Sequence, residues 1–259
     1  MAWRVLLGDR TSLILTALQA AASIAIAVAM FVISGWIHHP GQESRLLLAV
    51  IITYLPSTLV ATIIGVALCA AVSEAMDGGH LSLAQALLVP MRRFGQVLLW
   101  SLLATGVGLL LEQLVARLPL GGRLVTWLAG MAWSIGTLFV LPILALGGCD
   151  APECVRQSAA LVKQRWGEGV TGNLVIGAWA VLVAVPVGIV LGVADAASRR
   201  SHATMLLIVV GVLVLVGSVT WAATRVFSVA LYRYATDADA SGPFAEADLK
   251  QPFRKRRGR

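Results

Sequence analysis

The chain has 259 residues, of which 58% are hydrophobic and 13% charged, and its mean hydropathy is +0.85. Soluble domains carry about 25% charged residues, so this composition excludes an ordinary soluble domain. It also excludes a disordered chain, because disorder requires low hydrophobicity. The formal net charge of +7 raises the question of nucleic acid, which the placement of the charges answers below.

Six apolar stretches are long enough for transmembrane helices, since about 20 mostly apolar residues cross a bilayer core of about 30 Å. None shows the two-residue alternation of membrane strands. The predicted fold is therefore all-α, a polytopic membrane domain over residues 1–240 followed by a basic tail at 241–259. The predicted spans are 13–36, 46–69, 97–116, 124–146, 170–193 and 203–224.

Lysine and arginine concentrate on one side of these spans. Two precede the first span, two lie in the second loop, three in the fourth loop and eight after the sixth span, against five on the other side. The positive-inside rule then predicts that both termini are cytoplasmic. The basic excess is thus an orientation signal, and attraction to anionic lipid headgroups adds to it.

The tail ends in a run of Arg254, Lys255, Arg256 and Arg257. No aromatic residues are interleaved with this run, and no nucleic-acid-binding fold stands beside it. We therefore expect these side chains to contact anionic headgroups at the cytoplasmic face, and we expect no nucleic-acid partner.

Residues 151–166 predict an amphipathic helix that lies in the membrane interface. Asp150 and Glu153 fit a capping box at its start. The apolar face is predicted to hold Val155, Ala159, Val162 and Trp166, and the polar face Arg156, Lys163 and Gln164. We call such a segment, placed before a pair of spans, an elbow.

Residues 82–94 predict a second elbow, with Ser82 as its cap. Pro90 is expected to kink this helix or to end its first part. Its apolar residues are Leu83, Leu87 and Leu88, and it ends at Arg92, Arg93 and Phe94.

A shorter apolar and basic segment at residues 3–8 precedes the first span. Glycine pairs at 78–79 and 147–148 precede the other two elbows, where glycine frees the backbone to turn sharply. These features predict three units, each an elbow followed by a two-span hairpin. The alternative is that the segments are ordinary amphipathic connectors without a repeat.

The stretch 141–168 resembles the signature of a bacterial six-span family of unknown function. In that family a proline-bearing span ends in glycine, a Glu-x4-Ser elbow follows, and the elbow closes on Trp-Gly-Glu. The matching positions are Pro142, Gly148, Glu153, Ser158, Trp166, Gly167 and Glu168. The tail also resembles the family's ending, at Tyr232, Tyr234, Phe244, Leu249 and Phe253.

The family usually has an acid where this chain has Gly147. The plan of hairpins with elbows is similar to the membrane domain beside some glycerophosphodiester phosphodiesterases. The chain has no phosphodiesterase domain, so the resemblance implies no hydrolase activity. It implies a multi-pass protein of the bacterial cytoplasmic membrane.

Ionisable residues near the spans are candidate functional groups. Glu74 and Arg225 are predicted to lie just beyond the inner ends of the second and sixth spans. There they would form an ion pair that fixes two spans, or alternatively a gate or solute contact. If the sixth span instead reached residue 235, Arg225 would lie near mid-membrane.

Pro56, Pro142 and Pro186 interrupt the second, fourth and fifth spans, and Asn173 lies near the start of the fifth. Kinked helices outline cavities in transporters with broken helices. Kinks are also common in spans that transport nothing, and an asparagine in a span also serves as an interhelical hydrogen-bonding group.

No catalytic motif is recognised, and polar groups on the spans are scarce, so we expect no enzyme activity. No cofactor or metal is expected, because the spacing of Cys149 and Cys154 is not that of a zinc site. On a cytoplasmic face these two thiols are expected to stay reduced.

Two functions remain open from the sequence. The first is a non-enzymatic integral membrane protein with a structural, lipid-interacting or accessory role, as a homo-oligomer or within a membrane complex. The second is a small-solute or lipid transporter or channel, with contacts near Pro142, Asn173, Pro186 and Arg225.

Overall fold

The structure is a computed structural model that describes residues 9–36, 43–118, 120–164 and 202–236. All regular structure within these residues is helical, which confirms the predicted all-α class for them. The helices are α1 (Arg10–Trp36), α2 (Glu43–Met76), α3 (Leu83–Arg92), α4 (Phe94–Arg117), α5 (Leu120–Gly136), α6 (Val140–Pro142, continued by a π-helical turn at Ile143–Gly147), α7 (Ala151–Gln164) and α8 (His202–Thr236).

Four stretches of the described helices are long and apolar enough to cross a membrane. They are Tyr54–Met76, Phe94–Val115, Leu124–Gly147 and Val214–Thr236, and a shorter apolar stretch, Arg10–Ile26, begins α1. The stretch in α8 lies further along the chain than the predicted span 203–224, because the residues after Arg225 remain apolar and largely buried. The predicted span 170–193 lies outside the described residues.

Helix α2 is the centre of the described bundle, since α1, α3, α4, α6 and α8 all pack against it. Its segment from Val66 to Val72 is almost inaccessible. Gly65 lies so close to Leu141 and Trp221 that a Cβ atom there would clash with them. Small residues of this kind let membrane helices approach closely.

Polar and aromatic contacts join α4 to its neighbours. The hydroxyls of Thr58 and Thr105 are 2.6 Å apart and link α2 to α4. Trp100 and Trp133 stack with ring centroids 6.0 Å apart and link α4 to α5. Interhelical hydrogen bonds and close packing are what hold helices together in a bilayer, where lipid is as apolar as the side chains.

The start of α1 is fixed by the buried carboxylate of Asp9. This side chain accepts hydrogen bonds from the backbone N–H of Ser12 at 2.9 Å and from its hydroxyl at 2.6 Å, as a helix N-cap does. Thr11 donates to the carbonyl of Leu81 at 2.7 Å, which ties α1 to the segment before α3. The short elbow predicted at residues 3–8 lies outside the described residues.

The elbow predicted at residues 82–94 is formed by α3. Ser82 caps it, and the side chain of Gln85 accepts from the N–H of Ser82 in return, so the two residues make a capping box. Pro90 is buried within the helix and does not end it. The helix continues to Arg92 and breaks at Arg93, where the chain turns into α4.

Helix α7 forms where the elbow was predicted, but the capping box predicted at its start does not form. Its buried residues are Ala151, Cys154, Ser158 and Val162, whereas Ala159 is exposed. The carboxylate of Glu153 does not close a capping box, because it bonds to Arg156 and Gln157 along the helix. The buried face is centred on Ser158, a hydroxyl residue that a hydropathy pattern counts as polar.

Candidate functional site

The helix of the fourth predicted span is interrupted between Gly136 and Val140. Ser158 of α7 enters this interruption, accepting from the N–H of Phe139 at 3.1 Å and donating to the carbonyl of Gly136 at 2.7 Å. Both bonds are buried or partly buried. A backbone group without a partner is costly inside a bundle, so this single hydroxyl makes the interruption tolerable.

Pro142 lies just beyond this interruption, in α6, and the chain then follows a π-helical turn to Gly147. A discontinuous helix is the feature on which the cavity interpretation of the prolines rested. Pro56 differs, because α2 runs through it without a break. The structure therefore places Pro56 and Pro142 in different settings, one in a continuous helix and one in an interrupted one.

Gly148 ends the π-helical turn in the left-handed conformation, with φ of +68°. The guanidinium of Arg93 packs against it, within 2.8 Å of where a Cβ atom would stand. Arg93 also donates to the carbonyl of Leu144 at 2.7 Å. The end of α3 thus caps the π-helical turn that follows α6, and a side chain at position 148 would displace Arg93.

The other glycine pair has the same conformation at one position, since Gly78 has φ of +79°. The backbone N–H of Gly79 returns to the carbonyl of Glu74 at 3.0 Å and closes the turn. Both pairs therefore contain a left-handed glycine at the turn from a span into an elbow, which confirms the role predicted for them.

Cys149 and Cys154 form a disulfide, with their Cα atoms 5.6 Å apart. The prediction of reduced thiols is therefore wrong for this structure. It rested on the redox state of the compartment alone, whereas the turn at Gly148 brings the two residues into the range of a disulfide. The bond joins the turn to the first part of α7.

The predicted ion pair between Glu74 and Arg225 does not form. Glu74 is exposed and its side chain lies against Gly79, whereas Arg225 is partly buried in α8. The same two helices are joined instead by Arg233, which donates to the carboxylate of Asp77 at 2.5 Å and to the carbonyl of Ser73 at 2.9 Å. The idea of a cross-helix pair was correct, and the residues were not.

Arg225 lies in the middle of the apolar stretch of α8, not at its end. Its guanidinium carbon is 5.4 Å from the ring centre of Trp221, a cation–π distance. Its Nε atom is buried and makes no hydrogen bond. This is the mid-span placement that a longer sixth helix implies.

The basic residues of the two elbows are arranged differently. On α3, Arg92 is exposed next to Phe94, while Arg93 points into the bundle. On α7, Arg156 pairs with Glu153 at 3.0 Å and Lys163 is exposed. Hydrogen bonds from Gln157 and Arg156 lower the pKa of the Glu153 carboxyl below its ordinary value.

The remaining predicted site residues lie outside the described residues. They are Trp166, Asn173, Pro186, Arg254, Lys255, Arg256 and Arg257. Within the part of the chain that is described, no three histidine, cysteine or acidic side chains come together as a metal site would require.

The sequence profile of a family of unknown function, DUF6159, matches residues 44–242. The chain belongs to the DUF6159 family. No curated protein and no solved structure matches it. Family membership therefore supplies no activity or ligand for this DUF6159 chain, and its helices must be interpreted from their own contacts.

The DUF6159 chain uses several residues of its elbow motif as structural joints. Gly148 turns the chain, and Ser158 satisfies the interrupted fourth span. Glu153 is a solvent-side helix residue in this protein. Of the motif residues within the described range, Gly148 and Ser158 thus hold α7 against the helix that precedes it.

Three structural contacts of this DUF6159 protein were not predicted from the sequence. They are the helix cap of Asp9, the ion pair between Asp77 and Arg233, and the two hydrogen bonds of Ser158. Two signals were available. Asp77 stands directly before the glycine pair, and Arg233 lies eight residues after Arg225 on the same side of an apolar helix. The partner of Ser158 could not be found in the sequence, because it is a backbone interruption.

Proposed function

We propose that this protein is a non-enzymatic integral membrane protein that spans the bacterial cytoplasmic membrane and works through its contacts with lipid, in a structural or accessory role. The proposal includes six spans in three hairpins, with both termini cytoplasmic. The charge distribution supports that orientation. Four apolar helices within the described residues support membrane insertion.

The observation that carries the lipid-interacting role is the outer face of α3. Ala86 and Pro90 bury one side of this helix in the bundle, while Leu88 and Met91 remain exposed beside Arg92. An apolar outer surface with a basic side chain next to it suits the level of the acyl chains and headgroups. This surface supports an interfacial position for α3.

The test compares α3 with α7, whose outer face carries polar residues such as Gln157. In a chain whose three cysteines are replaced by alanine, Leu88→Cys and Gln157→Cys are labelled with an environment-sensitive fluorophore and reconstituted into vesicles. We expect brominated lipid to quench the label at position 88 and water-soluble iodide to quench the label at position 157. Equal quenching by lipid at both positions would contradict the proposal.

The orientation has a separate test. Ser241→Cys is introduced into the same cysteine-free chain, and intact cells are treated with a membrane-impermeant thiol reagent. A cytoplasmic tail is labelled only after the cells are opened. Labelling of intact cells would overturn both the topology and the headgroup contacts proposed for Arg254, Lys255, Arg256 and Arg257.

Transport of a small solute or a lipid is the second candidate, and two observations favour it. The fourth span is interrupted, and Arg225 lies mid-span without a hydrogen bond from its Nε atom. Reconstituted vesicles should then show flux that Arg225→Ala and Asn173→Ala reduce. Unchanged flux in both variants would remove these residues from any transport mechanism.

A further inference from the structure

Arg225 differs from the other arginines that face the interior of the described bundle. Arg233 reaches the carboxylate of Asp77, and Arg93 reaches the carbonyl of Leu144. Arg225 has neither an acidic nor a carbonyl partner among the described residues, and its contact is the face of Trp221. A guanidinium inside a span normally pairs with an acid or with backbone carbonyls, because a desolvated charge is costly.

The surroundings of Arg225 hold it at the junction of α2 and α8. The ring of Trp221 packs on Gly65, with its Cζ2 atom 3.2 Å from where a Cβ atom of that glycine would stand. The thiol of Cys69, one turn further along α2 from Gly65, is buried as well. Trp221 thus fixes the position of the cation and supplies no negative charge to neutralise it.

A second buried polar atom without a hydrogen bond lies on a neighbouring helix. The Oε1 atom of Gln19 makes no hydrogen bond, and its helix α1 packs against α8. At about 1.5 Å per residue, Gln19 lies roughly 13 Å along α1 from Arg10, and Arg225 lies roughly 12 Å along α8 from Arg233. The first turn of α1 bonds the carbonyl of Leu81, and the last turns of α8 bond the carbonyl of Ser73.

We propose that Arg225 binds a phosphate group, from either a phospholipid headgroup or a soluble phosphate, at the junction of α2 and α8. The planar guanidinium offers paired donors that match phosphate oxygens, and a site with little water strengthens that interaction. The acceptor of Gln19 suits a water or a ligand hydroxyl. The inference rests on the lipid-interacting membrane role proposed above and gives that role a specific residue and ligand chemistry.

The experiment uses the full chain in micelles of dodecyl maltoside, a detergent without phosphate, in a buffer without phosphate. One arm adds inorganic phosphate to the buffer, and the other adds phosphatidylglycerol to the micelles. A ligand that binds the folded state at a hundredfold excess over its Kd should raise Tm by roughly 5 °C or more. The arm that raises Tm identifies the source of the phosphate group.

Arg225→Gln should abolish this rise, and Arg117→Gln is the matched control. Arg117 carries the same charge and is exposed at the far end of α4, so its variant should keep the full rise. Without the anion, Arg225→Gln should be at least as stable as the wild-type protein, because it removes a charge that has no acidic partner among the described residues. No rise in the wild-type protein in either arm would overturn the proposal, as would an equal rise in Arg225→Gln.

Arg225→Lys provides a second variant should Arg225→Gln not fold. It keeps the charge and loses the planar fork, so the rise in Tm should fall below that of the wild-type protein. An undiminished rise in Arg225→Lys would overturn the bidentate phosphate site. These outcomes leave the function proposed for α3 untouched, since that function is tested by quenching at positions 88 and 157.

Discussion

The two described elbows, α3 and α7, follow the same kind of turn but bury different kinds of residue against the bundle. Each follows a left-handed glycine, Gly78 or Gly148. Helix α3 buries small residues and shows Leu88 to the outside, whereas α7 buries the hydroxyl of Ser158 and shows Arg156. An elbow can therefore be held by packing with an apolar outer face, or by hydrogen bonds with a polar one.

This difference separates two tasks. Helix α3 is self-contained, because its capping box satisfies its own first turn. Helix α7 uses the buried hydroxyl of Ser158 to hydrogen-bond the backbone of a neighbour, at the interruption between α5 and α6. The first is suited to contact lipid, and the second acts as an internal brace. Three predictions test how far this comparison holds, from the largest expected effect to the smallest.

The largest effect is expected from removing the brace. Ser158→Ala leaves a buried N–H and a partly buried carbonyl without partners, which should lower the free energy of unfolding by about 2–4 kcal/mol. Ser82→Ala, the matched change on α3, should cost about 1 kcal/mol, because water can reach the freed N–H. Unfolding in mixed micelles, followed by circular dichroism, measures both. A loss at Ser158 no greater than at Ser82 would remove the distinction between brace and cap.

The glycine turns should differ by a smaller amount. Gly78→Ala and Gly148→Ala both place a Cβ in the left-handed conformation, at about 1–2 kcal/mol each. Only at position 148 does the Cβ meet a neighbour, the guanidinium of Arg93, so this variant should lose about 1 kcal/mol more. Combining Gly148→Ala with Arg93→Ala in a double-mutant cycle should show a strong non-additive term. If the losses of free energy in the two single variants simply add in the double variant, Arg93 does not contact position 148.

The smallest effect is expected from the solvent side of α7. The folded-state pKa of Glu153 lies below its ordinary value, so its contacts stabilise α7 above the unfolded pKa. That stability is lost as pH falls through the folded pKa. The wild-type protein should therefore lose Tm slightly more steeply than Glu153→Gln as pH falls below about 4.3. Parallel curves for the two proteins would show that Glu153 contributes nothing.

The helical class could be predicted because composition alone decides it. Runs such as Leu124–Gly147 are long and apolar whatever they pack against. The cap of Ser82 could also be predicted, because its partner lies three residues away in the sequence. Local chemistry of this kind needs no knowledge of the neighbours.

The pairings between distant residues could not be predicted in the same way. Arg233 and Asp77 are 156 residues apart, and either could have been exchanged for Arg225 or Glu74 without changing the hydropathy pattern. The buried face of α7 was not predicted for a different reason. Its centre is Ser158, which is buried because a span breaks beside it, and a break in hydrogen bonding leaves no hydropathy signal.

The central position of α2 has a consequence for how the protein is made. A ribosome releases α1 and α2 first, so the helix that every later partner needs is already present when each of them enters the membrane. Helix α8 is released after the other described helices and docks on these two, and Arg233 then fastens it to the end of α2. Until α8 docks, Gly65 lacks its contact with Trp221. Assembly of the described bundle is therefore completed by contacts between its last helix and its first two.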